Sequence, residues 1–259
     1  MAAPPRTASR SKSKRAKNGT AGAAKSPADS RRASLRLVLE VFAIWAVVHT
    51  LFIAGYRIPS GSMEPTLQVG DFLFVTPLPY GPHLPFTPWN LPGFTDPKRG
   101  TINVYESPPQ HFDPAMHGDS MPTVVKRIVA IPGDTIFMRQ GVFSVNGIEQ
   151  RLAVVPGPGT SSPSEASPLF AWQRRFELTG TRFGEPPATI THDDWGPLLV
   201  PAGHYFSLGD NRYNSIDARY YGFIPRHNLR GRPLFIYFSF DLDDWRLRWS
   251  RLGKVLWRS

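Results

Sequence analysis

The longest apolar run in the chain is LVLEVFAIWAVVHTLFIAGY, the 20 residues 37–56, interrupted only by Glu40 and His49. At helical rise it spans roughly 30 Å, the thickness of a hydrocarbon core, and predicts one N-terminal transmembrane helix within residues 35–56. Glu40 falls four residues after Arg36, where the two can pair. His49 has no second ionisable partner within the run, which favours a neutral histidine over a proton relay. Past Tyr56 the period shortens from helical to alternating. DFLFVT (71–76), GTINVYE (100–106) and TVVKRIVAI (123–131) read as strands, and IFMRQGVFSVNG as a hairpin with Asn146-Gly147 as its turn signal. Strand character returns in LLVPAGHYFSLGDN (198–211) and PLFIYFSF (233–240). Residues 77–97 carry seven prolines and residues 151–198 are rich in Pro, Gly, Ser and Thr, so both read as loops, the second as an insertion. In DWRLRWSRLGKVLW (244–257), Trp245, Trp249, Leu252 and Leu256 share one helical face. That pattern predicts a basic amphipathic helix, suited either to a membrane interface or to packing on its own domain.

The predicted architecture is therefore mainly β: a single transmembrane helix followed by an exported, sandwich- or barrel-like β domain with an inserted loop-rich subdomain. Its boundaries are a basic tail over 1–34, an anchor over 35–56, a β domain over 57–150 and 199–259, and the insertion over 151–198. Charge sharpens this picture. The 259 residues carry a net +10, but residues 1–36 alone hold ten Lys or Arg against one acid, Asp29. That leaves 20 basic and 19 acidic side chains elsewhere, so the positive field belongs to a tail that cannot bury a core, and no nucleic-acid-binding domain is expected. The positive-inside rule puts this tail in the cytoplasm and the β domain on the other side. A cleaved export signal is the competing reading of the same run, opposed by the length of the tail and of the apolar segment. The chain has no cysteine, which excludes disulfides, thiolate metal sites and cysteine nucleophiles.

Three polar features remain. IPSGSMEPTL (58–67) places Ser60 and Ser62 around one glycine just after the apolar run; alone, this is an ordinary turn. In the strand at 123–131, Lys126 shares a face with Val124, Ile128 and Ala130, and Arg127 shares the other with Val125, Val129 and Ile131. Two readings of Lys126 stay open. Either it snorkels to an edge, or it is desolvated, its pKa falls, and it becomes an amine able to act as a general base. The third feature, SLGDNRYNSIDARYYGF (207–223), packs Asp210, Arg212, Ser215, Asp217 and Arg219 between apolar strands, either as a surface turn or as a buried ion-pair lattice. His111, His117, Asp113 and Asp119 share one loop, but their spacing is poor for a metal site and none is expected.

Taken in order, an apolar anchor, IPSGSMEPTL, KRIVAIPGD and GDNRYNSIDARYYGF resemble the sequence boxes of bacterial type I signal peptidases, also called leader peptidases. The resemblance implies a serine-lysine dyad with Ser62 as nucleophile and Lys126 as general base. It implies an oxyanion hole from the Ser62 N–H and the Ser60 hydroxyl, and Ser215 orienting the lysine amine. Asp210, Arg212, Asp217, Arg219 and Arg127 become supporting residues, with Arg127 the partner of Asp210. Tyr213 and Ala218 depart from the family's commoner aspartate and serine. The implied substrate is an exported preprotein cut after an Ala-X-Ala-like motif, bound as an added strand, with Ile58, Pro59, Met63, Leu67 and Val125 as candidates for its pockets. Preproteins and membrane lipid are the expected partners; no cofactor or metal is implied. The rival readings are a different serine-lysine peptidase and an inactive membrane-anchored β scaffold.

Overall fold

The computed structural model describes residues 27–51, 54–82, 91–109, 121–150, 162 and 164–256. Most of the basic tail, the centre of the proline-rich loop, the loop with His111, Asp113, His117 and Asp119, and residues 151–161 lie outside these, as does the side chain of His49.

Helix α1, Pro27–Leu51, has 25 residues, beginning well before the apolar run and stopping short of its end. Its first turns are polar, with Arg36 Nε donating to Glu40 Oε1 at 2.9 Å in an exposed i,i+4 pair. Its apolar side chains from Leu35 to Val47 are mostly more than half exposed. No helix among the described residues is long and apolar enough to cross a membrane. The helix expected over 35–56 is corrected in its end. Ala54 to Tyr56 leave it for strand β1, Ala54–Arg57, which pairs antiparallel with β2, Asp71–Thr76, in the register Ala54↔Val75 to Arg57↔Phe72. A partner strand distant in sequence decides this, and local hydropathy does not register such a partner.

The remaining strands are β3 (Ile102–Glu106), β4 (Thr123–Ala130), β5 (Thr135–Arg139), β6 (Val142–Val145), β7 (Ile148–Glu149), β8 (Trp195–Leu199), β9 (His204–Leu208), β10 (Ile224–Pro225), β11 (Leu229–Asp241) and β12 (Arg246–Leu247). They form two curled antiparallel sheets. One has the order β1-β2-β11-β3-β4-β9-β10 with β12 added to β11; the other has the order β7-β6-β5-β8. The 13-residue β11 pairs with β2 along one stretch and with β3 along another, and its register breaks around Pro233 and Ile236. Such breaks bend a strand and raise its twist, so one long strand serves two directions of the sheet. Two apolar clusters result. One gathers Tyr105, Ile128, Ile136, Phe143, Trp195, Phe206 and Ile224; the other gathers Ile58, Met63, Leu67, Leu73, Val104 and Ile236. β4 serves both, with Val124 against the first and Val125 against the second.

The predicted strands at 71–76, 100–106 and 123–131 form within one or two residues of their expected ends. The hairpin differs in detail: Gln140 and Gly141 close β5 on β6, and Asn146-Gly147 joins β6 to the short β7, with positive φ at all four residues. The C-terminal amphipathic helix is not formed. Arg246 and Leu247 pair with Asp241 and Phe240, and a 3-10 turn follows at Trp249–Arg251. Leu256 is 1% exposed, whereas Trp245 and Trp249 are 81% and 72% exposed, so they share no face. Arg251 explains part of this, because its guanidinium is buried on Asp71 at 2.5 Å and its Nη2 donates to the Thr66 carbonyl at 3.0 Å. Within 151–198, Ser167 caps a 3-10 stretch, Pro168–Phe176, whose Phe170 is buried in the core, and Trp195 of β8 is fully buried.

Candidate active site

Beyond β1 the chain is held at Ile58, whose N–H donates to the Asp71 carbonyl at 2.8 Å and whose carbonyl accepts from Gly70 at 3.0 Å. It then makes a 3-10 turn over Gly61–Met63. Met63 and Leu67 are sunk in the second apolar cluster, fixing the turn from below. Ser62, at its centre, is 8% exposed, and its carbonyl accepts from the Asn211 N–H at 3.1 Å. Its Oγ is hydrogen bonded to Lys126 Nζ at 2.5 Å, across 64 positions of sequence. Ser60 Oγ lies 3.4 Å from Ser62 Oγ.

Lys126 is 4% exposed, in a strand whose residues from 126 to 130 are all buried. Burial, which penalises the ammonium form, lowers its pKa to about 8; Asp217 opposes this, Arg219 adds to it, and Asp210 opposes it. Desolvation wins because the amine bonds a neutral hydroxyl, while the carboxylates act on it from behind their own arginine partners. An amine with such a pKa is substantially deprotonated slightly above neutrality and can take a proton from the hydroxyl beside it.

Around the pair stands a buried polar lattice. On the other face of β4, Arg127 grips Asp210 with two bonds of 2.8 and 2.7 Å, and Asp210 also accepts from Thr66 Oγ1 at 2.6 Å. Asp217 and Arg219, both 0% exposed, pair through Nε and Nη2, each at 2.8 Å. Burial alone would raise the Asp217 carboxyl, but Arg219, the Gly209 N–H and Lys126 outweigh it and hold the carboxyl below its ordinary value. Arg212 donates from Nε to the Gly209 carbonyl at 3.1 Å, and burial together with Arg219 lowers its pKa to about 10. Gly209 is where the lattice meets the serine turn. Its N–H donates to Asp217 Oδ2 at 3.0 Å, and a Cβ there would lie 2.5 Å from the Ser62 carbonyl oxygen and 2.2 Å from Ser215 Oγ. Ser215 shares a pocket with Lys126, yet its buried Oγ makes no hydrogen bond and is turned against Gly209 instead of bonding the lysine amine.

Two openings flank Ser62. A cleft of about 150 Å³ runs between residues 56–60 and 123–126 and includes Ile58, Pro59, Met63 and Val125. A larger one, about 430 Å³, shares Pro59, Ser60, Ser62 and Lys126 and continues to Asn214, Ser215 and Ile216. Leu67, expected among the pocket residues, lines neither opening: it is 0% exposed in the apolar cluster. Among the described residues no three side chains could together hold a metal ion.

The family model described as "Signal peptidase, peptidase S26" matches residues 31–238 of this chain. The chain belongs to that family. The curated signal peptidase I of Pseudomonas fluorescens is 32% identical over 213 residues, covering 77% of this chain and 69% of that protein. The signal peptidase I of Pseudomonas aeruginosa is 31% identical over 215 residues, with the same coverage. A solved signal peptidase I from Enterococcus faecalis superposes with a TM-score of 0.32 and 24% identity, over 54% of this chain and 98% of that one. The protein is thus a peptidase of the signal peptidase family, with two curled β sheets forming its body.

Two residues of the lattice escape a reading of the family boxes. His192 is 1% exposed, with Nδ1 2.6 Å from Asp193 Oδ1, and the Asp193 Oδ2 accepts from the Tyr213 hydroxyl at 2.7 Å. Tyr213, which departs from the commoner aspartate, is thereby tied in by a residue from the stretch that reads as an insertion. The signal available in sequence is the run His192-Asp193-Asp194 directly before Trp195, a titratable cluster abutting a strand.

Proposed function

We propose that the protein is a membrane-anchored type I signal peptidase that removes signal peptides from exported preproteins by cutting after an Ala-X-Ala-like motif. The observation that carries this reading is the 2.5 Å contact between a buried lysine amine and a serine hydroxyl in a chain of this family. In the proposed reaction the neutral Lys126 amine takes the Ser62 proton as Oγ attacks the scissile carbonyl carbon. The negative oxygen is held by the Ser62 N–H and the Ser60 hydroxyl. The lysine ammonium then protonates the departing amine as the C–N bond breaks, leaving an ester on Ser62. A water gives its proton to the same amine and hydrolyses the ester, restoring both groups. Nucleophile, base and oxyanion donors are all supplied by side chains and backbone, so the reaction as proposed uses no cofactor and no metal. Asp210, Arg127, Asp217, Arg219 and Arg212 hold the frame, and Ser215 borders the pocket from which the amine acts.

The substrate segment is proposed to enter as a strand. Among the described residues β1 pairs with β2 on one side only and β4 meets β9 only from Arg127 onward, so residues 123–126 and β1 keep facing edges along the 150 Å³ cleft. Main-chain bonds to these edges would give affinity, and a cleft this small admits small side chains beside Ile58, Pro59, Met63 and Val125. The exposed apolar side chains of α1, together with the basic tail, support anchoring in the cytoplasmic membrane with the N-terminus inside and the β domain outside. Preproteins and lipid are thus the proposed partners; nucleic acid is not, since the charge outside the tail is balanced. The test is cleavage of a purified preprotein: Ser62→Ala and Lys126→Ala should each abolish it, and cutting at the parental rate by both would overturn the reading.

A further inference from the structure

Arg219 is entirely buried, and all three of its guanidinium nitrogens are engaged. Nε and Nη2 bond Asp217, and Nη2 also donates to the Arg212 carbonyl at 2.7 Å. The remaining edge, Nη1, is directed at the imidazole of His192, in close contact with Nε2. A guanidinium can only donate, and Nδ1 faces a carboxylate that can only accept, so in the neutral ring Nε2 is the acceptor for Nη1, while the Arg212 carbonyl, 3.0 Å from Nε2, takes its hydrogen bond from Nη2. The proton of the ring then sits on Nδ1 and is donated to Asp193 Oδ1. Asp193 is itself secured by the Tyr213 hydroxyl, and the Tyr213 ring stacks on the imidazole at 5.0 Å and 22°. The result is one connected chain of hydrogen bonds, Asp193 to His192 to Arg219 to Asp217 to the Gly209 N–H, ending at the turn that abuts the Ser62 carbonyl.

We propose that His192 is a positioning residue for the peptidase reaction: its unprotonated Nε2 holds the outer edge of Arg219, and so fixes the Arg219–Asp217 pair behind the Ser62–Lys126 site. This rests on the reading of Lys126 as the base. The groups facing His192 are Asp193 beside it, Arg219 and the Arg212 carbonyl from the polar loop, and Tyr213 stacked on the ring, with Asp217 behind Arg219. Burial and Arg219 both lower the His192 pKa, outweighing Asp193 and Asp217, and so favour the neutral ring. The consequence for catalysis follows from charge. Asp217 favours the ammonium form of Lys126 and Arg219 disfavours it. Letting Arg219 swing away from its seat leaves Asp217 less compensated, and the lysine then holds its proton to higher pH.

The experiment is the pH dependence of kcat/KM for full-length protein in detergent on a synthetic signal-peptide substrate. His192→Phe retains a ring for Tyr213 but has no acceptor; His192→Gln retains an acceptor. The first should raise the apparent pKa of the acid limb by about 0.5 to 1 unit. The second should leave the limb close to that of the parent. An unmoved limb in His192→Phe, or equal displacement in both variants, would overturn the proposal. Should His192→Phe fail to fold, Asp193→Asn, which releases the ring's orientation, should move the limb the same way, and an unmoved limb there would overturn it equally. Lys126→Ala is measured alongside: if it still cuts, the dyad reading fails; if it is inert while the histidine variants keep the parental limb, only the present inference fails.

Discussion

Replacing Lys126 by methionine should destroy activity and yet stabilise the fold at neutral pH. Methionine has a similar unbranched stem without the charge, so the change removes a buried ammonium and leaves the packing. The size of the effect comes from the depressed pKa. A fall from 10.5 to about 8 means that folding holds the protonated lysine at a disadvantage of roughly 3 kcal/mol, at about 1.4 kcal/mol per unit. Below pH 8 that disadvantage is present in full. Between 8 and 10.5 the unfolded chain binds the proton and the native one does not, so stability rises with pH, and above 10.5 the penalty is gone. Against this, Lys126→Met forfeits the hydrogen bond to Ser62, a loss of about 1 kcal/mol. The variant should therefore be more stable than the parent by roughly 2 kcal/mol at pH 7 and less stable by about 1 kcal/mol once the parent's lysine is neutral in both states. Urea unfolding of both proteins in detergent, across this pH range, measures the difference directly. A stability difference that stays constant from pH 7 to beyond 10.5 would show that the lysine is not desolvated, and the proposed base would lose its physical footing.

Ser60→Ala should lower kcat by on the order of 100-fold with KM little changed, because the hydroxyl is proposed to act only once the oxygen carries charge; a raised KM with kcat unchanged would place Ser60 in ground-state binding. Gly209→Ala should cost activity out of proportion to stability. A Cβ 2.5 Å from the Ser62 carbonyl oxygen must push the serine turn aside, and a displacement of about 1 Å loses on the order of 100-fold in rate. Near-parental turnover by the folded variant would show that the turn has slack.

The parts of the site that can be read from sequence are those whose chemistry is local. Lys126 stands out because alternation places it among Val124, Ile128 and Ala130, and the strand indeed buries every residue from 126 onward. Arg127 lies on the opposite face, as the two-residue period requires, and there it bonds Asp210, the partner that the family resemblance implies. What is not legible depends on partners far along the chain. Ala54 to Tyr56 continue the uncharged run that precedes them, and their pairing with Leu73 to Val75 makes them a strand. Trp245, Trp249, Leu252 and Leu256 have helical spacing, but the end of β11 takes Arg246 and Leu247 while Asp71 takes Arg251. Leu67 follows Ser62 closely enough to suggest the substrate groove, yet the 3-10 turn rolls it into the core. His192 and Asp193 show in sequence only as a titratable cluster beside a strand, because the partners that define their role, Arg219 and Tyr213, lie 27 and 20 positions further on.

The separations within the lattice bear on how such an enzyme comes into being. Thr66 and Arg127 converge on the Asp210 carboxylate across 144 and 83 positions, and Ser62 and Lys126 are 64 apart. Contacts of such range form late, after the entropy of closing long loops has been met. A half-folded copy has its serine and its amine in separate, hydrated surroundings, the amine fully charged and the hydroxyl inert. Under the proposed reaction, competence to cut would therefore arrive only with the finished tertiary structure.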